Sequence, residues 1–373
     1  MTCPMLRALA CGLPVTAMPD RLRLCTAALA PALALALPAW AAAPEAQLGR
    51  VQVQGEASFA REKKTLAQLF KAQALFDKHR ALAPDAPLRF KVYPRTQAES
   101  TERVMLGLVT PQGRQPVELD GDDDFVIDPA WRALDPATEL RSRLPDGRVT
   151  WRPDIRTPGW PAGERRLGDL RLQCHIGFDS GLARGPGWFG KLLALGIDDC
   201  GEHDWSPSNF ADQPVFAVTL VHGERRITLN NRMLHGLKDG SGAEFDWGFL
   251  LRERMFRLPL GDASWPDDTR VVLQSVDEPA TPPEAALREW PEPWLQAALA
   301  LRAGMTEAEA TAALGPATES LGFDSGRRLM RWQRDVQGPG LARSPQRLEL
   351  VTLFAAGGLL KFELRRLDPE RRY

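Results

Sequence analysis

Lysine, tyrosine and cysteine are scarce in this 373-residue chain: arginine outnumbers lysine by 39 to eight, tyrosine occurs twice and cysteine five times. The formal charge of −1 leaves no global field that would draw the chain to nucleic acid or to an anionic bilayer. The arginine excess fits a GC-rich genome and carries no functional weight. Five histidines (His79, His175, His203, His222 and His235) form no HxH or HExxH pair, so no zinc-ligand spacing is present. No CxxC, GxSxG or P-loop occurs either. Gly236–Gly242 lacks the Lys-Ser/Thr end of a P-loop. The pentapeptide GFDSG, at 177–181 and again at 322–326, sits in unrelated flanks and reads as turn chemistry. Asp120, Asp122, Asp123 and Asp124 crowd carboxylates into one turn, but Phe125 and Trp131 occupy the positions where a calcium loop needs Gly and Glu. No catalytic, cofactor-binding or metal-binding residue is assigned, and no cofactor is expected.

What is present first is an address. Arg21 and Arg23 precede the apolar run at 26–37 (TAALAPALALAL), and Ala39-Trp40-Ala41 supplies a small-x-small cleavage site. The run falls short of the roughly 20 residues that span a bilayer. A secretory signal peptide over 1–41 is the reading, with cleavage near Ala41, a periplasmic or secreted product, and no transmembrane segment in the mature chain. Three cysteines go with the signal. The remaining pair, Cys174 and Cys200, is an even count in an oxidising compartment. A bridge would close a 26-residue span, worth about 3 kcal/mol on the loop-entropy model.

Along the mature chain, 49–54 alternates as a short strand and 63–82 carries a helical apolar stripe, Leu66, Leu69, Phe70 and Phe76, ended by Pro84. From 87 the period falls to two. Strands are expected near 88–92, 104–108, 125–127, 148–151, 170–176, 215–221, 226–229 and 269–276, punctuated by Gly and Pro turns. The fold class is α+β, with a β-rich, sandwich-like region over 42–277. A weaker internal break lies at 156–164. Three prolines at 277–283 mark a linker extending over 278–289.

Beyond it, Pro293 suits a first helical position, and Leu295, Ala298, Leu299 and Leu301 recur at helical spacing. Gly304 permits a reversal, Thr306 and Glu309 spell a capping box, and Leu314-Gly315-Pro316 ends the second helix. Strands are expected at 328–334, 347–354 and 359–366. The pattern Gly304-Met305-Thr306, then Leu314-Gly315, then Phe354 to Gly357 resembles the SmpA/OmlA (BamE-like) domain over residues 290–369. That resemblance implies a two-helix, three-strand module found on Gram-negative envelope proteins. Ala310 stands where the family favours Val, and Met330-Arg331-Trp332 stands where W-x-Y is usual. The family's lipidated Cys is absent.

Ten tryptophans outlast cleavage, and Trp160, Trp188, Trp205 and Trp265 fall in Gly/Pro/Ser/Asp-rich stretches suited to exposed loops. The expectation is a non-catalytic exported envelope protein that acts through an envelope protein partner, and not through nucleic acid. The alternatives are a periplasmic glycan- or peptide-binding protein, with coplanar exposed tryptophans, and a hydrolase whose acid–base groups converge only in space.

Overall fold

The structure, a computed structural model, describes residues 64–94, 105–143, 149–182, 200, 208–235, 252–337 and 345–367. The signal segment at 1–41 and the strand expected at 49–54 lie outside them. The described residues belong to one contiguous unit. It is α+β, with four α-helices among the described residues and many antiparallel strands in several sheets. No helix among them is long and apolar enough to cross a membrane.

Helix α1 (Leu66–His79) opens on a capping box, in which Thr65 and Gln68 satisfy each other's backbone N–H groups. Leu66, Leu69, Ala72 and Phe76 turn inward at helical spacing. They meet Phe90, Val92 and Trp151 of a three-stranded sheet (Asp124–Phe125, Leu88–Pro94, Val149–Ile155) and Leu108 and Leu140 of a second one. This is the first core.

Helix α2 (Leu167–Asp179) is a correction, because 170–176 reads as a strand in the sequence. Its even-numbered residues Leu170, Leu172, Cys174 and Ile176 are all buried, which imitates a period of two. The cause is burial on two sides. Leu172 and Ile176 pack into the first core, while Leu167, Leu170 and Cys174 pack into a second. Two stripes of a helix wedged between cores overlay as alternation. At Gly168 a Cβ would stand 2.2 Å from the Leu82 carbonyl oxygen, so only glycine lets the first turn of α2 dock there.

The second core lies under a four-stranded sheet, ordered Arg225–Thr228, Val215–His222, Arg270–Ser275, Glu164–Arg166. The hairpin turn between these strands is Gly223-Glu224, since His222 pairs with Arg225. Cys174 and Cys200 are disulfide-bonded with Cα atoms 5.9 Å apart.

At the C-terminal end, α3 (Pro293–Leu299) starts with Pro293 in its first turn and α4 (Glu307–Leu314) is capped reciprocally by Thr306 and Glu309. A four-stranded antiparallel meander follows: Glu319–Gly322, Arg328–Val336, Gln346–Ala355 and Gly358–Leu367. The first of these is additional to the three expected strands. Leu295, Ala298, Ala310 and Leu314 pack on one face of the meander against Trp332, Leu348, Leu350 and Phe354. Its other face carries Leu329, Val351 and Leu353 against Phe216 and Ala217 of the Val215–His222 strand. Lys361 Nζ lies 4.6 Å from the centre of the Phe216 ring and donates to the carbonyls of Ser275 and Glu278 at 2.9 and 2.7 Å. The meander is thus covered on both faces.

Both GFDSG copies end alike despite different surroundings. Gly181 and Gly326 take positive φ (83° and 80°), and each N–H donates at 3.0 Å to the carbonyl of the Phe three residues earlier.

Phe216 is the apolar anchor between the two sheets, so F216A should cost about 3–5 kcal/mol. Urea unfolding followed by tryptophan fluorescence checks this; a loss under ~1 kcal/mol would show that the contact does not hold the sheets together.

Candidate functional site

The residue that follows the Val149–Ile155 strand and the loop that leads into the Val215–His222 strand both line a cavity of about 390 Å³. Arg156 joins them. Its Nη1 and Nη2 donate to the two Asp212 oxygens at 2.6 and 2.8 Å, and its Nε donates to Asp154 at 2.7 Å. Lys91 Nζ lies 3.2 Å from Asp212. Behind this clamp, Arg165 donates to the Ile155 carbonyl at 2.7 Å and stands 3.3 Å from Asp154. Bidentate guanidinium–carboxylate geometry fixes orientation as well as charge.

The loop from 156 to 163 is held to α2 by Asp169, which accepts from the Thr157 N–H and hydroxyl, each at 2.7 Å. Gln173, one turn further along α2, accepts from the Ile155 N–H at 3.3 Å and from Arg165 at 3.2 Å. Trp160, half-buried, lines the cavity together with Pro161, Val215 and Leu273. Glu164, Gln213, Ser275 and Glu278 are among its polar lining residues. The volume falls within the roughly 300–1,000 Å³ of small-molecule sites.

Burial raises carboxylate pKa values here, and the arginines oppose it. Burial pushes Asp169 upward, outweighing its Thr157 bonds. Burial also acts on Asp212, but the Arg156 bonds and charge override it and hold that carboxyl well below the usual range. Arg156 is correspondingly raised, its burial outweighed by Asp212 and Asp154. Tyr93, next to this network, is fully buried, which raises its phenol far above 10.0. Asp124, beside Lys91 in the adjoining strand, rises from 3.8 to about 7 through burial and the charge of Asp154.

Chemically, the cavity offers an aromatic face and planar polar groups set at fixed angles. Both oxygens of Asp169 and of Asp212 already accept hydrogen bonds. The arrangement suits hydrogen bonding to a polar ligand.

The residues singled out from the sequence lie elsewhere. Cys174 and Cys200 staple α2 to the segment after it. Gly304, Met305, Thr306, Glu309, Leu314 and Gly315 shape the turn, cap and stop around α4. The Gly304 N–H donates to the Leu359 carbonyl and the Leu359 N–H to the Met305 carbonyl, at 2.9 and 2.7 Å. Trp332 Nε1 donates to the Gly315 carbonyl at 2.9 Å. Phe354 is buried, whereas Gly357 is exposed in the hairpin turn. The constrained glycine is its neighbour, Gly358: with φ 99°, a Cβ there would lie 2.5 Å from the Gly304 oxygen.

His79 and His175 stack on each other, His222 lies 3.4 Å from Asp268, and His235 is buried against Phe323 and the Arg252 carbonyl. None lines the cavity, and burial lowers His235 to about 4. His203, Trp188 and Trp205 lie outside the described residues. Trp265, expected in an exposed loop, is fully buried in the second core. Asp120 closes the acidic turn by accepting from the N–H groups of Asp122 and Asp124. Among the described residues no group of three His, Cys, Asp or Glu could hold a metal ion.

The cavity residues Arg156, Asp169 and Asp212, with Asp154 bonded to Arg156, come from three separated segments and form no motif. The one legible trace is the Pro/Gly-rich stretch at 156–164, flagged only as a break. In comparisons with known proteins, no family model, curated protein or solved structure matches the chain.

Asp124 generates a pH test. Its raised pKa means that the folded state binds the proton more tightly, so this stabilisation is full below about 3.8 and is lost as pH rises through about 7. D124N removes the titration. The variant should gain stability relative to the parent between pH 4 and pH 7 and hold that gain above; a pH-independent difference in urea midpoints would contradict the assignment.

Proposed function

We propose that the chain is an exported, non-catalytic envelope protein that captures a short neutral glycan in the Arg156–Asp212 cavity. The export reading rests on the signal segment and agrees with the disulfide-bonded pair Cys174 and Cys200. In this reading a β-rich, sandwich-like region over 42–277 carries the ligand site. The 278–289 segment joins it to a BamE-like unit over 290–369, whose role is contact with an envelope protein partner.

The observation that carries the ligand reading is the juxtaposition of Trp160 with the Arg156–Asp212 clamp in one cavity. A flat indole matches the apolar face of a sugar ring. Pre-oriented carboxylates and guanidinium groups bond its hydroxyls without reorganising, which limits the entropic cost of binding. Large apolar residues exposed among the described residues are few and scattered: Met105, Val109, Val126 and Leu360. That distribution favours a concave site over a broad apolar docking patch there.

A hydrolase is the second reading, favoured by one feature: Asp169 is pushed up and Asp212 down within the same cavity, as an acid–base pair requires. One experiment separates the two. Neutral gluco- and N-acetylglucosamine oligomers are titrated into the protein by calorimetry, and the recovered sugar is analysed. The binding reading predicts saturable uptake with intact sugar, and an affinity about tenfold lower in W160A. Cleaved product that disappears in D169N would establish the hydrolase, and unaltered binding by W160A would remove the cavity from consideration.

A further inference from the structure

A second concave feature lies away from the glycan cavity, between the edge strands Arg225–Thr228 and Gly358–Leu367. Its volume is about 480 Å³. Six arginines line it, Arg226, Arg232, Arg331, Arg347, Arg365 and Arg366, against the carboxylates of Glu284 and Glu363.

The floor is a buried ionic ladder on the meander. Arg331 donates to Glu349 at 3.1 Å and pairs with Glu319. Arg365 donates to Glu363 at 2.7 Å. Arg331 and Arg365 are 5% and 7% exposed, and the Nε of each is buried without a hydrogen-bond partner. At the rim, Arg347 is held bidentately by Asp335 at 2.7 and 3.0 Å, and Arg366 lies 3.1 Å from Glu284.

Arg226 and Arg232 differ. Both are exposed, and among the described residues no carboxylate pairs with either. Five carboxylates (Glu284, Glu319, Asp335, Glu349 and Glu363) stand against the six arginines, so the groove keeps a net positive charge, carried by these two unpaired side chains.

We propose that this groove binds a small phosphorylated molecule, with Arg226 and Arg232 as direct contacts beside the paired Arg331 and Arg365. The two unpaired guanidinium groups select an anion, and a phosphomonoester brings about −1.5 to −2 at neutral pH with several acceptor oxygens for them. Its oxygens also suit the guanidinium fork bidentately. The proposal is independent of the glycan cavity, which shares no residue with this groove.

The test titrates the full chain with inorganic phosphate and with pyrophosphate at low salt, by calorimetry. Vesicles of phosphatidylcholine with and without phosphatidic acid form a parallel arm. The expected result is saturable binding that weakens with salt, about tenfold or more weaker in R226E and in R232E. R302E, a charge reversal outside the groove, should bind as the parent does. Circular dichroism confirms that the variants fold, since Arg226 and Arg232 are exposed. Pyrophosphate binding without vesicle binding assigns a soluble ligand, and vesicle binding dependent on phosphatidic acid assigns a lipid headgroup; both support the chemistry. No binding, equal losses in R302E, or preference for polyglutamate over both phosphate probes would overturn it.

Discussion

The two-sided burial of α2 is the constraint on which the cavity depends. Leu172 and Ile176 belong to one core, Leu167, Leu170 and Cys174 to another, so neither core can shift without the helix. From its first turns α2 sends Asp169 and Gln173 to fix Thr157 and Ile155. Arg156, between them, is thereby held against Asp212 in the cavity lining. A binding site on a loop gains precision from a rigid element behind it, and here that element is clamped from both sides.

Electrostatics then determines what the cavity can be. Buried carboxylates without partners would protonate or destabilise the fold. Arg156 and Arg165 keep Asp154 and Asp212 matched, while Asp124, further from a guanidinium, rises to about 7. The C-terminal meander solves a related problem differently. Its inner face is apolar where it meets Phe216 and ionic beyond it, where Arg331, Glu349, Glu363 and Arg365 pair along the strands. The change from one to the other opens the arginine-lined groove.

Local features were legible in the sequence, and non-local ones were not. Caps and stops follow from short-range chemistry, so Thr306, Glu309, Pro293 and Gly315 act as their spacing implies. Hairpin strands bounded by Gly turns were legible for the same reason, although the conformationally constrained glycine is Gly358 and not the Gly357 of the resemblance pattern. Helix α2 defeated periodicity because two inward stripes sum to alternation. The Glu319–Gly322 strand was too short to show a pattern. Asp154, Arg156, Asp169 and Asp212 meet only through the packing of α2 and the sheets, and no spacing records that.

Native-state amide hydrogen exchange within Leu170–Ile176 tests the role of α2 most directly. A helix clamped by two cores should release these amides only on global unfolding, with protection equal to the free energy from urea denaturation. Exchange through a local opening of distinctly lower free energy would show that α2 is not the common support of both cores, and the account of the cavity would fail with it.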